Sequence, residues 1–433
     1  LTSASEAALA RLAERRPRII DLGLDRMRRV LAALGDPQDR LPPTIHVAGT
    51  NGKGSTCAFA ASALAAAGKS VHIYTSPHLV RFNERIVLAG EEIGDDALAD
   101  ALTRCEAAAG DGDITYFEAV TCAAFLAFAE TPADALVLEV GLGGRLDATN
   151  VVDAPAAAVV APVGLDHQSY LGTTIEEIAG EKAGVFKRGR PAVIGRQSAA
   201  AADVLTDKAI RAGARPYRYG EEWRVYEEHG RIVFEDEDGV RDLARPRLAG
   251  RHQIENAGLA VAALCAGGFR LDDAAVSAGL ENARWPARLQ RLKEGPLVAR
   301  VAALTRGEGE VWLDGGHNPH AAAALAETLA EFEDRASRPL VLVAGMQEGK
   351  DAVGYFAPFA GLAAAAFTVE AETGTPVAPE DLAKAAASAG VPARPASGLL
   401  DAVERACGGA DRPPRIFICG SLYLAGDVLR DNA

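Results

Sequence analysis

HVAGTNGKGS, residues 46–55, decides how this chain is read. Extended backwards it gives the apolar run TIHVAG (44–49), which reads as a buried strand. Extended forwards it gives STCAFAASALAAAG (55–68), an apolar helix closed by Gly68. Strand, glycine loop and helix together make the setting of a phosphate site. Glycines let backbone N–H groups converge on oxygens, the helix N-terminus adds partial positive charge, and Lys53 adds a full one. The spelling departs from the common G-x-x-x-x-G-K-[ST] pattern, because Gly54 separates Lys53 from Ser55 and Gly49 stands three residues before Gly52. A nucleoside triphosphate loop of another make is the stronger reading; simple turn chemistry is the weaker one.

Outward from the loop, short apolar strands alternate with helical stretches, the pattern of α/β architecture with a mostly parallel sheet. SVHIYT (70–75), ALVLEV (135–140), AAVVAPV (157–163) and PAVIG (191–195) are the further strands expected in the first part. WRVYEEHGRIVFEDEDGVRDL (223–243) alternates and carries HG and DG turns, so an antiparallel ribbon is expected there. Helical patterns follow at 252–268 and 272–284, and ARWPARLQ (283–290), with its central proline, reads as a hinge. A second series then runs through VWLDGG (311–316), PLVLVAG (339–345), AAAFTVE (364–370) and RIFICG (415–420). The expected organisation is one domain over residues 1–285 and a second over 286–433.

The bulk properties narrow the chemistry. At 433 residues the chain exceeds one ordinary core, and 49% hydrophobic with 24% charged residues is a soluble globular profile. A formal charge of −14 argues against a nucleic-acid partner, so an anionic ligand must be held by local cations and metal ions. The six cysteines are scattered without a C-x-x-C pair and read as reduced thiols of a cytoplasmic protein. No apolar run has the length of a membrane span, and no signal-peptide pattern is evident.

Polar residues gather where strand ends deliver them. Glu139 lies inside an otherwise apolar strand, two residues before a glycine loop, and a carboxylate there needs a partner or a cation; Mg²⁺ suits it beside phosphates. Ser76 in TSPHL ends a second strand, and His167 in GLDHQSYLG follows a third. Taken singly, each has an ordinary structural explanation. Lys182 in GEKAG reads, by itself, as a solvated charge. Asp314, His317 and Asn318 in LDGGHNPH are either a helix start with capping roles or groups turned toward a nucleotide. GLGGRL (141–146) imitates a dinucleotide fingerprint, but Leu146 and the following DATNVV do not begin an apolar helix, so that reading is set aside.

Together the motifs IDLGLDR (20–26), HVAGTNGKGS, TSPHLVRFNERI (75–86), TYFEAVT (115–121), LEVGLGGRLDATN (138–150), GLDHQSYLG (164–172), GEKAGVFK (180–187), GRHQIENAGLA (250–260), LDGGHNPHA (313–321) and GSLYLAGDVL (420–429) occur in order along nearly the whole chain. They resemble the dihydrofolate synthase/folylpolyglutamate synthase family of the Mur ligase superfamily. The resemblance implies a P-loop-type Mur ligase central domain with an antiparallel ribbon, followed by a Rossmann-like α/β glutamate ligase domain. It implies an ATP- and Mg²⁺-dependent ligase that phosphorylates a carboxylate of dihydropteroate or a reduced folate and joins L-glutamate to the acyl phosphate, releasing ADP and phosphate. IDLGLDR and TYFEAVT resemble the bacterial bifunctional forms.

Carried over by motif, Thr50, Asn51, Gly52, Lys53, Gly54 and Ser55 wrap the phosphates, with Lys53 on the β/γ oxygens. Ser76 and Glu139 take one Mg²⁺ and His167 a second, which a carbamate formed by CO₂ on Lys182 (an N6-carboxylysine) supports. Lys53, Glu139, His167 and Lys182 form the catalytic set. Asn256 reaches the nucleotide base region, and Arg288, Asp314 and His317 serve the ribose and phosphates. Asp21, Gly23, Tyr116, Phe117, Glu118, Leu146, Asp147 and Ala148 match segments lining the pteridine and aminobenzoate site. Departures from the family pattern are Ala287 in PARLQ where glycine is usual, a longer segment before LDGGHNP, and DGGHNP in place of DGAHNP. The implied partners are small molecules only, the expected state is a monomer, and domain closure on ATP is expected. Competing readings are a folylpolyglutamate synthase alone, another Mur-type amino-acid ligase, and a regulatory ATP binder without ligase chemistry.

Overall fold

The computed structural model describes residues 3–15, 21–110, 112, 114–409 and 411–432. Ile20, the first residue of the IDLGLDR motif, lies outside the described residues. The chain divides into two compact units, Leu1–Arg247 with Ile254–Ala283, and Leu248–Gln253 with Arg284–Ala433.

In the first unit the strands β1 (Thr44–Ala48), β2 (Val71–Tyr74), β3 (Ile86–Leu88), β4 (Glu91–Glu92), β5 (Ala135–Glu139), β6 (Ala157–Val160), β7 (Pro191–Ile194) and β8 (Arg215–Arg218) form one sheet. Its order is β4-β3-β2-β5-β1-β6-β7-β8. The six strands from β2 to β8 across the sheet run parallel, and antiparallel pairing is confined to β3, which turns back between β2 and the edge strand β4. Every residue of β1, β5 and β6 is buried, as expected for central parallel strands covered on both faces. The chain leaves β1 to one side, fills β5 into the gap, and then crosses to β6 on the other side. This reversal puts the crevice beyond the carboxyl ends of β1, β5 and β6 at the topological switch point.

The helix Lys53–Ala66 springs from β1 and is buried on nearly every side, as its mostly apolar composition past the first turn requires. A separate three-stranded antiparallel sheet follows: β9 (Arg224–Glu228), β10 (Arg231–Asp236) and β11 (Gly239–Leu243). His229 (φ 50°) and Gly230 (φ 76°) make the tight turn between the first two, the conformation a two-residue hairpin needs. One face of this ribbon buries Val225, Ile232, Phe234 and Leu243.

In the second unit β12 (Gln290–Leu292), β13 (Glu310–Leu313), β14 (Leu340–Ala344), β15 (Ala363–Thr368), β16 (Ala393–Pro395) and β17 (Arg415–Cys419) form a sheet of order β12-β13-β17-β14-β15-β16. All of its pairings are parallel except that of the edge strand β12. Its core is Leu342, Tyr355, Phe356, Phe359 and Phe417 with their neighbours. Among the described residues no helix is long and apolar enough to cross a membrane.

Candidate active site

The phosphate loop is anchored from below. The N–H groups of Thr50 and Asn51 both donate to the carbonyl of Pro162, at 3.0 and 3.2 Å, and the Thr50 hydroxyl donates to the carbonyl of Gly164. Those two amides therefore fix the loop. The amides of Gly52 to Ser55 stand at the open N-terminus of the helix, where intrahelical acceptors do not exist, and are the ones left to meet an anion. Gly52 adopts φ 83°, and a Cβ built there falls 2.3 Å from Oδ1 of Asn256. The helix Arg251–Ala266 thus brings Asn256 against the loop. Lys53 is folded back, its Nζ 3.1 Å from the Gly49 carbonyl and 3.2 Å from that of Thr50.

Register sets the next shell. Glu139 ends β5 opposite Val47 of β1, and Tyr74 of β2 lies opposite Leu138, so the residues after β2 pass beside Glu139. The N–H of Ser76 donates to Oε2 of Glu139 at 3.3 Å. The Ser55 hydroxyl is buried without a protein partner. A carboxylate, two hydroxyls and the phosphate oxygens of a nucleotide are hard donors, and the set fits a divalent cation of the Mg²⁺ kind. His167 stands on the loop beyond β6 beside Asp166, its Nε2 3.9 Å from the Asp166 carboxylate. Among the described residues no three His, Cys, Asp or Glu side chains converge on a metal position by themselves.

Lys182 ends the helix Ile175–Lys182 and is buried, with Nζ 2.9 Å from the Gly49 carbonyl. Burial, and then the nearby ammonium of Lys53, lower its pKa to about 7, against weaker support from Asp166 and Asp147.

The acid-binding candidates form a second group. Arg26 binds Asp21 at 2.8 Å and Glu118 at 3.1 Å, so two expected residues are joined through one the motif contained but the reading did not single out. Glu118 is buried because it closes the start of its helix: Thr115 N–H donates to Glu118 while Glu118 N–H donates to the Thr115 hydroxyl. Phe117 packs its ring against Gly141, and Asp147 accepts from the amides of Leu142 and Thr149. Tyr116, Phe117 and Leu146 are half-buried, whereas Asp147 and Ala148 are buried. Gly144 approaches the neighbouring helix so closely that a Cβ would lie 2.8 Å from the carbonyls of Glu181 and Lys182.

In the second unit Asp314 follows β13 and is buried, accepting from the amides of Leu289 and Gly316 at 2.7 and 2.6 Å. Burial raises its pKa, opposed first by Arg288. Arg288 lies between Ala287 (φ 54°) and Leu289 (φ 41°), a turn held by Gly315 N–H on the Ala287 carbonyl. His317 Nδ1 is 3.0 Å from the Gly315 carbonyl, and Asn318 caps the helix Pro319–Arg335.

Two family profiles match the chain, the Mur ligase middle domain over residues 47–264 and the dihydrofolate synthetase C-terminal domain over 298–431. The dihydrofolate synthase/folylpolyglutamate synthase of Escherichia coli K12 is 38% identical over 339 residues, 78% of this chain and 75% of that one. The chain belongs to the dihydrofolate synthase/folylpolyglutamate synthase family. The folylpolyglutamate synthase of Lacticaseibacillus casei is 35% identical over 416 residues, 92% of each chain. E. coli FolC in complex with DHPP and ADP superposes with a TM-score of 0.88 at 33% identity, over 99% of this chain and 98% of that one. A bifunctional folylpolyglutamate synthase/dihydrofolate synthase with Mn, AMPPNP and L-glutamate bound gives 0.86 at 32%, covering 99% of both.

Membership makes the chain an ATP-dependent ligase with an α/β fold in two domains, as its sequence implied. Several residues that hold the candidate site residues, directly or through a neighbour, escaped the sequence reading. Arg26 sits inside a quoted motif, and its signal was its position five residues after Asp21. Asp166 was visible as the neighbour of His167. His46 and Thr149 carried no signal, since only the folded sheet brings them together.

Proposed function

We propose that this ligase joins L-glutamate to dihydropteroate and to reduced folates, using ATP. The observation that carries the reading is the meeting of Lys53 of the glycine loop and Lys182 on one carbonyl, Gly49, with Glu139 paired to Ser76 at the end of the neighbouring strand, at the switch point of a chain matched to such ligases over both units. A carboxylate is a poor electrophile until its oxygen becomes a good leaving group. Phosphoryl transfer from ATP makes an acyl phosphate, and the amine of L-glutamate displaces phosphate from its carbonyl carbon. Catalysis is then alignment and charge neutralisation.

The residues divide this work. Amides of Gly52, Lys53, Gly54 and Ser55 hold the phosphates, and Lys53 swings from the Gly49 carbonyl to the β/γ oxygens. Glu139, Ser76 and, at a second position, His167 would hold Mg²⁺, which when bound supplies neutralising charge between phosphate oxygens. Lys182 receives CO₂ as a carbamate: its neutral amine adds to the carbon and releases one proton, turning a buried cation into an anion that supports the second ion. Asn256, Arg288, Asp314 and His317 are assigned to the nucleotide, with Thr50 and Asn51 keeping the loop in shape. Asp21, Gly23, Tyr116, Phe117, Glu118, Leu146, Asp147 and Ala148 are assigned to the pteridine acid. Residues 1–285 carry the ATP and folate sites and 286–433 the glutamate ligase function. The protein is assigned as a cytoplasmic monomer.

The test is ADP release with ATP, Mg²⁺ and L-glutamate in the presence of dihydropteroate, tetrahydrofolate or neither. Turnover with both supports the bifunctional reading. Turnover with tetrahydrofolate alone leaves a folylpolyglutamate synthase, a reading favoured by the similarity to the L. casei enzyme across 92% of the chain. Silence with both withdraws the folate assignment.

A further inference from the structure

His46 has no part in the reading above. It lies within β1, wholly buried, three residues before the phosphate loop begins at Gly49. Its Nε2 is 2.8 Å from the Thr149 hydroxyl oxygen, and that oxygen is 2.5 Å from Oδ1 of Asp147. All three residues are buried. A hydroxyl has one proton to give, and the carboxylate can only accept it. Thr149 therefore accepts from His46, which fixes the imidazole as the Nε2–H tautomer. Nδ1 is left as a buried acceptor with no hydrogen-bond partner. That is a desolvation cost an apolar residue in β1 would avoid, so the Nε2–H donor is what the site retains.

Asp147 spends its carboxylate on its own loop. Oδ1 accepts from the hydroxyl and amide of Thr149, and Oδ2 from the amide of Leu142. It caps the short helix Ala148–Val151, and Oδ2 lies close to Gly141, against which Phe117 packs. We propose that His46 is a positioning residue for the acid substrate: its Nε2–H sets the Thr149 hydroxyl toward Asp147, and Asp147 then holds the loop of residues 141–151 in its binding shape. This rests on the assignment of Leu146, Asp147 and Ala148 to the pteridine acid. The device reaches from the strand that bears the phosphate loop, yet acts on the other substrate.

The experiment compares His46→Leu, His46→Gln, Thr149→Val and the double variant His46→Leu/Thr149→Val in the full chain, varying dihydropteroate, ATP and L-glutamate in turn. Loss of the donor or of the relay is expected to raise KM for dihydropteroate about tenfold, with KM for ATP and glutamate within about twofold. The double variant is expected to be no worse than either single one, because both cut the same path. His46→Gln, which offers an amide N–H at similar reach, is expected to recover most of the loss. An unchanged KM for dihydropteroate, a rise in KM for ATP instead, or additive losses would overturn the proposal. Hydrogen exchange at the Leu142 and Thr149 amides decides it without turnover: faster exchange in Thr149→Val and normal protection in His46→Gln support it, and unchanged protection in Thr149→Val sinks it. Should His46→Leu fail to fold, these two variants carry the test. Should the unaltered protein not turn over dihydropteroate, the proposed substrate fails while the exchange result still stands or falls by itself.

Discussion

Lys53 and Lys182, from different elements, share one acceptor: their ammonium nitrogens lie 3.1 and 2.9 Å from the carbonyl oxygen of Gly49. Two cations on one carbonyl in a buried setting oppose each other, and Lys182, the more deeply placed, yields its proton at a pH of about 7. The neutral amine needed to capture CO₂ is therefore well populated near neutrality. With ¹³C-enriched CO₂, a carbamate resonance is expected to grow from pH 6 to 8 and to be missing in Lys182→Met. Activity of that variant should fall by about two orders of magnitude, the scale of lost electrostatic support in a transition state. Full activity would remove the lysine from the mechanism.

The same group ties stability to pH. Below about 7 both folded and unfolded chains hold the proton, and the folded chain carries the whole cost of a buried cation. Between about 7 and the ordinary lysine value of 10.5 the unfolded chain still holds a proton that the folded one has lost, so stability rises with pH. Urea titrations without nucleotide or CO₂ should show this rise in the unaltered chain and a flatter profile in Lys182→Met. Equal slopes would show that the amine is not buried as a cation.

Gly52 admits no side chain. With φ at 83° and the Asn256 oxygen 2.3 Å from any Cβ, Gly52→Ala should cost about 1–3 kcal/mol of stability and weaken AMPPNP binding at least tenfold by calorimetry. Adding Asn256→Ala removes the clash but not the backbone strain, so only part of the stability should return.

Ala287 is the opposite case, a residue with a Cβ held at φ 54°, in the left-handed region that favours glycine. Ala287→Gly should stabilise the chain by roughly 0.5–1 kcal/mol, the relief of left-handed strain less the greater entropy of an unfolded glycine. A denaturation midpoint that moves down would show that the turn is not strained.

Arg26→Met strands Glu118, whose side chain is only 4% exposed, without its cation. A loss of about 2 kcal/mol is expected, reduced from that of a fully buried pair because Arg26 remains partly in water. KM for dihydropteroate should rise while KM for ATP holds. A change in the ATP constant alone would detach this cluster from the acid site.

The central strands were legible because they are fully buried apolar runs, and the ribbon because alternation and turn residues mark it. β4, β8, β12 and β16 were not, being short and polar at the edges of their sheets, where little burial constrains their composition, and β3, though apolar, is only three residues long. In the site, Lys53, Glu139 and Lys182 could be named from motifs. What motifs could not convey was direction: that Thr50 and Asn51 turn their amides to Pro162, or that Asp147 turns its carboxylate onto its own loop. Such orientations follow from which backbone groups each turn leaves open, a property of the folded loop and not of residue type.

Gly144 presses on the carbonyls of Glu181 and Lys182, and Gly184, just past that helix, meets the backbone of Arg145 in return. The two segments are keyed together like a tongue and its slot. Neither can gain or lose a residue unless the other changes with it, so, on the proposed assignment of Tyr116, Phe117 and Leu146 to the acid, variation in acid preference is expected at these three half-buried side chains. A lineage of such enzymes could drift toward a bulkier or longer-tailed acid by exchanging those three, while the path of the chain beneath them stayed closed to insertion.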